Sequence, residues 1–201
     1  MRCVLLLFAA VLVAGCSTAP PRDLNNLCEI FREKDDWYDD AAAARERWGS
    51  PISIMMAIMH QESRFDATAR PPRRKILGFI PGPRRSSAYG YSQAKKSTWK
   101  EYKDSAGRGW AARDDFDDAI DFVGWYNYQS RRRSGISPRD AYGLYLAYHE
   151  GHGGYNRATW RGKPWLMTTA RRVESRAATY RSQLLACEKE LEDDGWFFGW
   201  F

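Results

Sequence analysis

Long hydrophobic runs are scarce in this 201-residue chain. The one candidate, residues 4–14, falls well short of the roughly 20 apolar residues that a membrane-spanning helix needs. With Arg2 ahead of it, the run reads as a secretory signal, residues 1–15. Histidine is also scarce, at three residues, and the Glu-bearing zinc-protease pattern does not occur. No cofactor and no metal are therefore expected. No internal repeat is found, which argues against a solenoid. Signals for β-hairpins are few, whereas helix start and stop signals are frequent. Cysteine is limited to four positions.

Those four cysteines divide cleanly. Val13-Ala14-Gly15-Cys16 resembles a bacterial lipobox, which implies that Cys16 becomes the lipid-bearing first residue of the mature chain. The alternative is an ordinary signal peptide ending near a chance cysteine. Cys3 leaves with the signal, so Cys28 and Cys187 remain, one near each end. Export places them in an oxidising compartment, and a Cys28–Cys187 disulfide is expected. Residues 16–24 read as a tether. Ser17, in place of the Asp linked with inner-membrane retention, favours an outer-membrane anchor facing the periplasm. The formal net charge of +6 draws the chain to anionic partners. Peptidoglycan and anionic lipid qualify; for an exported chain, nucleic acid does not.

The pattern predicts an all-α domain over residues 25–192. Short helices are expected at "NLCEIFREK" and "DDWYDDAAAARERWG", the second stopped by Gly49. Ser50-Pro51 reads as an N-cap followed by Pro at the first helical position. The helix it opens, residues 51 to about 63, sets Ile54, Ile58 and Glu62 on one face. Residues 70–88, rich in Pro, Gly and Arg around "ILGFI", read as a long loop or inserted arm. Four further helices follow, the first two at "SQAKKSTWKEYK" and "DDFDDAIDFVGWYNYQSRRR". The third starts at Ser137-Pro138 and ends in the Gly-rich "GHGGY", and the last runs through "TTARRVESRAATYRSQLLACEKELE". Residues 193–201 form an aromatic tail.

Glu62 ends an apolar stripe, where partial desolvation disfavours its charge and raises its pKa. A carboxyl so placed can give a proton to a glycosidic oxygen and later take one back. Three ordered motifs sit where helices end: Glu62-Ser63 followed by "RFDATA", then "AYGYSQ", then Ala147-Tyr148-His149-Glu150-Gly151. Together they resemble the lytic transglycosylases with the lysozyme-like fold. Tyr91-Ser92 stands where that family has Leu-Met, and His149 where it has Asn. The resemblance covers roughly residues 37–187. It implies cleavage of the MurNAc–GlcNAc β-1,4 bond of peptidoglycan, with a 1,6-anhydro product and a single acid/base, Glu62. It further implies that Ser63, Gly90, Tyr91, Gln93, Tyr148 and His149 bind or orient substrate. In particular, Tyr148 is expected to hydrogen-bond Glu62, and Ser92 to make the groove wall more polar.

Other readings stay open from sequence. Glu150 across the groove would supply the second carboxylate of a water-using muramidase, with Tyr155 as a further contact; otherwise it serves the turn's backbone. "HEGH", with His149, Glu150 and His152, is a weak metal pattern. A peptidoglycan-binding lipoprotein without turnover, or a structural attachment protein using the arm and tail, fits the same chain. An envelope-assembly partner is not identified by the sequence.

Overall fold

The computed structural model describes residues 19–197. Seven α-helices occur there: α1 (Leu27–Glu33), α2 (Trp37–Trp48), α3 (Ile52–Ser63), α4 (Lys96–Ala106), α5 (Phe116–Ser134), α6 (Ala141–Asn156) and α7 (Pro164–Phe197). One antiparallel hairpin, β1 (Arg73–Ile76) and β2 (Ile80–Arg84), interrupts them, and a 3-10 turn spans Thr159–Gly162. The all-α lysozyme-like architecture expected from sequence is the one observed. Cys16 and residues 198–201 of the tail lie outside the described residues.

α3 is the axis of the molecule. Its residues 52–59 are all buried, and it packs against α7, α5 and α2. A helix apolar on every side belongs in a core, so the single stripe of Ile54, Ile58 and Glu62 is only one flank of a fully enclosed element. α7 lays Leu166, Ala170, Val173, Ala177, Tyr180, Leu184 and Cys187 along the core, matching the apolar stripe read from the sequence.

Local chemistry sets several helix starts differently from the sequence expectation. Ser50 does not cap α3; its buried hydroxyl accepts from Asn127 Nδ2 at 2.9 Å. Ser137-Pro138 precedes a turn, and α6 begins at Ala141, where Asp140 accepts from the Gly143 amide at 2.8 Å. A carboxylate at that position satisfies an otherwise unpaired N–H. The Gly-rich "GHGGY" does not end α6. Gly151, at φ 73°, kinks it, and the helix continues to Asn156. The arm at 70–88 is a hairpin rather than a loop, turning at Leu77 and Gly78, both with positive φ.

Cys28 and Cys187 are joined as expected, with Cα atoms 6.1 Å apart across 159 residues of sequence. Neighbouring bonds reinforce the seam. Gln183 accepts from the Leu27 amide at 2.9 Å, Arg32 forks onto Glu190, and Tyr180 donates to the Leu24 carbonyl. Part of the expected tether is held as well: Lys34 Nζ donates to the Ala19 carbonyl at 2.8 Å, and the Arg22 amide donates to Glu33. Residues 19–197 thus contain a continuous core closed at both ends, a complete folding unit. Closing so long a loop limits the unfolded chain's freedom by about 5 kcal/mol on the chain-entropy view. Replacing Cys28 and Cys187 together by Ser is expected to lower unfolding stability by several kcal/mol in urea titrations. A loss below about 1 kcal/mol would show that the helical seam, not the bridge, holds the ends.

Candidate active site

Glu62 sits in the last turn of α3, where the fully buried helix reaches the surface. The turn behind it is unusual. Arg64 (φ 55°) and Phe65 (φ 61°) are consecutive left-handed non-glycine residues, a conformation that costs free energy and tends to mark functional sites. Ser63 and Phe65 stabilise it. Ser63 Oγ accepts from the Phe65 amide at 3.1 Å and donates to the Met59 carbonyl at 3.3 Å. The Phe65 ring is fully buried, tilted against Trp37. Ser63 is therefore a bracket for the turn that carries Glu62; its hydroxyl is buried and engaged by the chain's own backbone. Asp66 closes the next turn, accepting from the Thr68 amide at 2.8 Å.

The Glu62 carboxyl is densely surrounded yet keeps partial exposure, so it can be reached from outside. Burial pushes its pKa up to about 7, opposed by a hydrogen bond from the Tyr145 hydroxyl. Tyr145 is buried on α6, one helical turn before Tyr148. Tyr148 lies close enough for the Glu62 charge to help hold its own proton on. Its hydroxyl, however, donates to the Ser92 carbonyl at 2.6 Å. The expected Tyr148–Glu62 hydrogen bond is thus corrected: Tyr148 ties the second motif to the third, and Tyr145 is the phenol whose hydroxyl tempers the Glu62 carboxyl. Tyr145 was missed in the sequence because it lies outside the motif. Its spacing of three residues from Tyr148, on one helix face, was the available signal.

The second motif is mostly scaffold. A Cβ on Gly90 would come 1.9 Å from the Arg113 carbonyl oxygen, and φ is 74°. The close approach that requires glycine there is to the protein's own backbone, not to substrate. Tyr91 is core, edge-on to both Trp37 and Phe116. Ser92 is fully buried and does not line a groove wall; its hydroxyl has no partner among the described residues. Gln93 Nε2 bonds the Ala69 and Gly90 carbonyls at 2.9 and 2.8 Å, clamping the segment after Asp66 to the 90s turn. Its Oε1 remains as the atom able to accept from a ligand hydroxyl.

The third motif runs from the site to a rim. His149 is exposed, with Nδ1 3.1 Å from Glu150 and its ring edge-on to Trp165, itself 57% exposed. Tyr155 stacks near Trp160. Glu150 does not behave as a second catalytic carboxylate. Its side chain is almost wholly covered and accepts from Lys163 Nζ at 2.7 and 2.9 Å and from Thr159 Oγ1. Burial alone would raise its pKa, but these bonds and His149 hold it at about 2. His152 points elsewhere, to Ser130 Oγ at 3.0 Å and onto the Tyr126 ring, so "HEGH" does not converge. Among the described residues no cluster of three or more His, Cys, Asp or Glu could hold a metal. Two cavities, about 380 Å³ beside Ile52 and Leu185 and about 390 Å³ beside His60 and Arg176, are not lined by Glu62.

With this geometry in hand, comparison with known proteins supplies the class. The family model "Transglycosylase SLT domain" matches residues 4–187. The chain belongs to that family, and its activity is of the lytic-transglycosylase type, directed at peptidoglycan glycan strands. No curated protein matches the chain.

Because Glu150 has a folded-state pKa below its ordinary 4.5, its contribution to stability is present above that value and is lost as pH falls through about 2. Glu150→Gln is expected to cost about 1–2 kcal/mol at pH 7, given the exposed Lys163 partner, and to flatten stability between pH 4.5 and 2. Chemical denaturation across that range checks both effects; an unchanged midpoint at pH 7 would remove Glu150 from the scaffold.

Proposed function

We propose that the protein is a lytic transglycosylase cleaving the MurNAc–GlcNAc β-1,4 bond, with Glu62 serving as acid and then as base. The observation that carries this reading is the burial of the Glu62 carboxyl at the end of α3, beside the neutral Tyr145 hydroxyl and without a cation among the causes that shift it, with a pKa pushed up to about 7. A carboxyl in that state is largely protonated at neutral pH and can hand its proton to the glycosidic oxygen as the C1–O4 bond breaks. The resulting carboxylate then takes the proton of the MurNAc C6 hydroxyl as that oxygen bonds C1. Charge and atoms balance with no water consumed.

An intramolecular hydroxyl is already held near C1, so proximity replaces a second carboxylate. This fits the engagement of Glu150 by Lys163 and Thr159, which leaves the muramidase alternative without its base. Gln93 Oε1, His149 and exposed Trp165 are proposed substrate contacts, the last as a stacking face for sugar. Tyr145 is a positioning residue: it holds the carboxyl and tempers its pKa. Cys16 is proposed as the lipidation point that tethers the domain to the outer membrane, facing the periplasm.

Two outcomes test this. Glu62→Gln should abolish anhydro-muropeptide release from purified sacculi, read by mass spectrometry, while leaving sacculus binding intact. The same variant should be more stable than wild type at pH 8. A folded-state pKa raised above the ordinary 4.5 gives stability that is present below 4.5 and lost as pH rises through about 7. Removing the ionising group recovers up to about 3 kcal/mol at pH 8 and almost none at pH 4. Residual anhydro release, or equal stability at both pH values, would sink the assignment of Glu62. For Tyr145→Phe, loss of the hydrogen bond raises the Glu62 pKa further. The alkaline limb of kcat/KM, expected near pH 7 in wild type, should move to higher pH with a lower maximum. An unshifted limb would leave Tyr145 a merely structural role.

A further inference from the structure

The hairpin β1–β2 is the feature that the glycan reaction does not absorb. Residues 70–88 contain six basic side chains, Arg70, Arg73, Arg74, Lys75, Arg84 and Arg85, and no acid. All six are exposed. Elsewhere, Arg32, Arg45, Arg47, Arg108, Arg133, Lys100 and Lys163 find carboxylates, whereas among the described residues no ion pair involves the hairpin's cations. Register makes this worse: Arg73 is the cross-strand partner of Arg84, and like charges placed directly opposite destabilise a strand pair. At the turn, Ile76, Leu77 and Phe79 are 49, 79 and 75% exposed. The strands pack chiefly on each other, so neither the apolar tip nor the cationic stem serves the core.

We propose that this hairpin docks on an anionic lipid bilayer, with Leu77 and Phe79 entering the headgroup boundary and the stem cations facing lipid phosphates. Two halves of the hairpin point to the same occupant. Arg70 lies over the Tyr89 ring and Arg84 donates to the Pro71 carbonyl, yet none of the six has a carboxylate to neutralise it; such a cluster calls for a surface dense in anions, which also relieves the Arg73–Arg84 repulsion. An apolar tip gains from the acyl boundary and gains little from hydrated glycan or stem peptide. Peptidoglycan carboxylates could meet the arginines but would leave Leu77 and Phe79 in water.

The base of the hairpin is fixed beside the site. Ala69 and Gly90 are joined by a 3.0 Å backbone hydrogen bond, and Gln93 clamps the same carbonyl. Docking therefore orients Glu62 relative to the bilayer, a constraint that the lipid proposed on Cys16 would not impose alone. The inference does not depend on the reaction proposed above.

The test uses the chain from Ala19 onward, which carries the folding unit without Cys16. Flotation with phosphatidylglycerol-containing vesicles, and with neutral phosphatidylcholine vesicles, is compared for wild type, Leu77→Ser/Phe79→Ser, and Arg73→Ser/Arg74→Ser/Arg84→Ser/Arg85→Ser. Each surface cation near such a membrane is worth roughly fivefold in partitioning. Both variants should lose at least about tenfold in binding to anionic vesicles, while wild type should bind neutral vesicles weakly and release from anionic ones at high salt. Thermal unfolding and sacculus binding should stay at wild-type values, and because the two variants change different side chains, either alone decides. Vesicle binding unchanged in either variant, or binding by wild type regardless of lipid charge, would overturn the proposal. Loss of sacculus binding with vesicle binding intact would overturn it too and assign the hairpin to peptidoglycan.

Discussion

The site depends on one carboxyl being enclosed without a cation. Three acids of this domain are well covered, and their partners set them apart. Asp121 on α5 gathers the Tyr102 hydroxyl at 2.7 Å, the Trp48 indole at 2.8 Å and Arg47 at 3.2 Å. Glu150 has Lys163 and Thr159. Both are supplied with several donors, so each acts as a bracket between elements, and for Glu150 those donors hold the pKa low. Glu62 has the Tyr145 hydroxyl and burial. Desolvation is then the larger influence, and the proton is held loosely enough to leave and return near neutral pH. Asp40 on α2 is also raised to about 7, but burial there is joined by the repulsion of Asp117, Asp36, Asp115 and Asp39. That is a crowded acidic surface rather than a sheltered acid facing tyrosines.

Such an arrangement needs a rigid frame, because a carboxyl free to swing would find water and lose the effect. α3 supplies rigidity by being buried on every side, and the Arg64–Phe65 turn fixes its end. The α1–α7 disulfide and the Arg32–Glu190 fork fasten the helices that flank it. Tyr148 and Gln93 fasten the two other motifs to the same place through backbone carbonyls. The motif residues thus divide: Glu62 is the proposed acid, whereas Ser63, Gly90, Tyr91 and Tyr148 hold the turns and loops near it.

That division explains what the sequence disclosed. The helices were legible because apolar periodicity and glycine stops are local signals; Gly49, Gly107 and Gly135 each end a helix in the left-handed conformation. The placement of Glu62 at the end of α3 was legible for the same reason. Contacts were not. Which tyrosine reaches Glu62 depends on how α6 packs against α5 and α7, and Glu150's partners lie 9 and 13 residues further on, beyond the kink at Gly151. The hairpin was hidden by its composition, since Pro71, Pro72, Pro81 and Pro83 mark a stretch that propensity assigns to loop. An isolated two-stranded ribbon tolerates them, because each strand has a free edge.

A single-acid site imposes a condition on its substrate. Without a second carboxylate to activate water, cleavage is productive only when the broken bond's own sugar offers a nucleophile, held so that the proton just given away can be replaced from it. On the proposed reading, the surroundings of Glu62 have to admit the glycan while restricting the water that would otherwise reprotonate or hydrolyse. Partial exposure of the carboxyl, against full burial of Ser63 and Phe65 beside it, is the compromise this chain adopts. More exposure would return the pKa toward 4.5 and leave the acid ionised; complete burial would shut out the strand. The stability lost by ionising Glu62 in that position follows from the same placement, which is why the function and the strain reside in one residue.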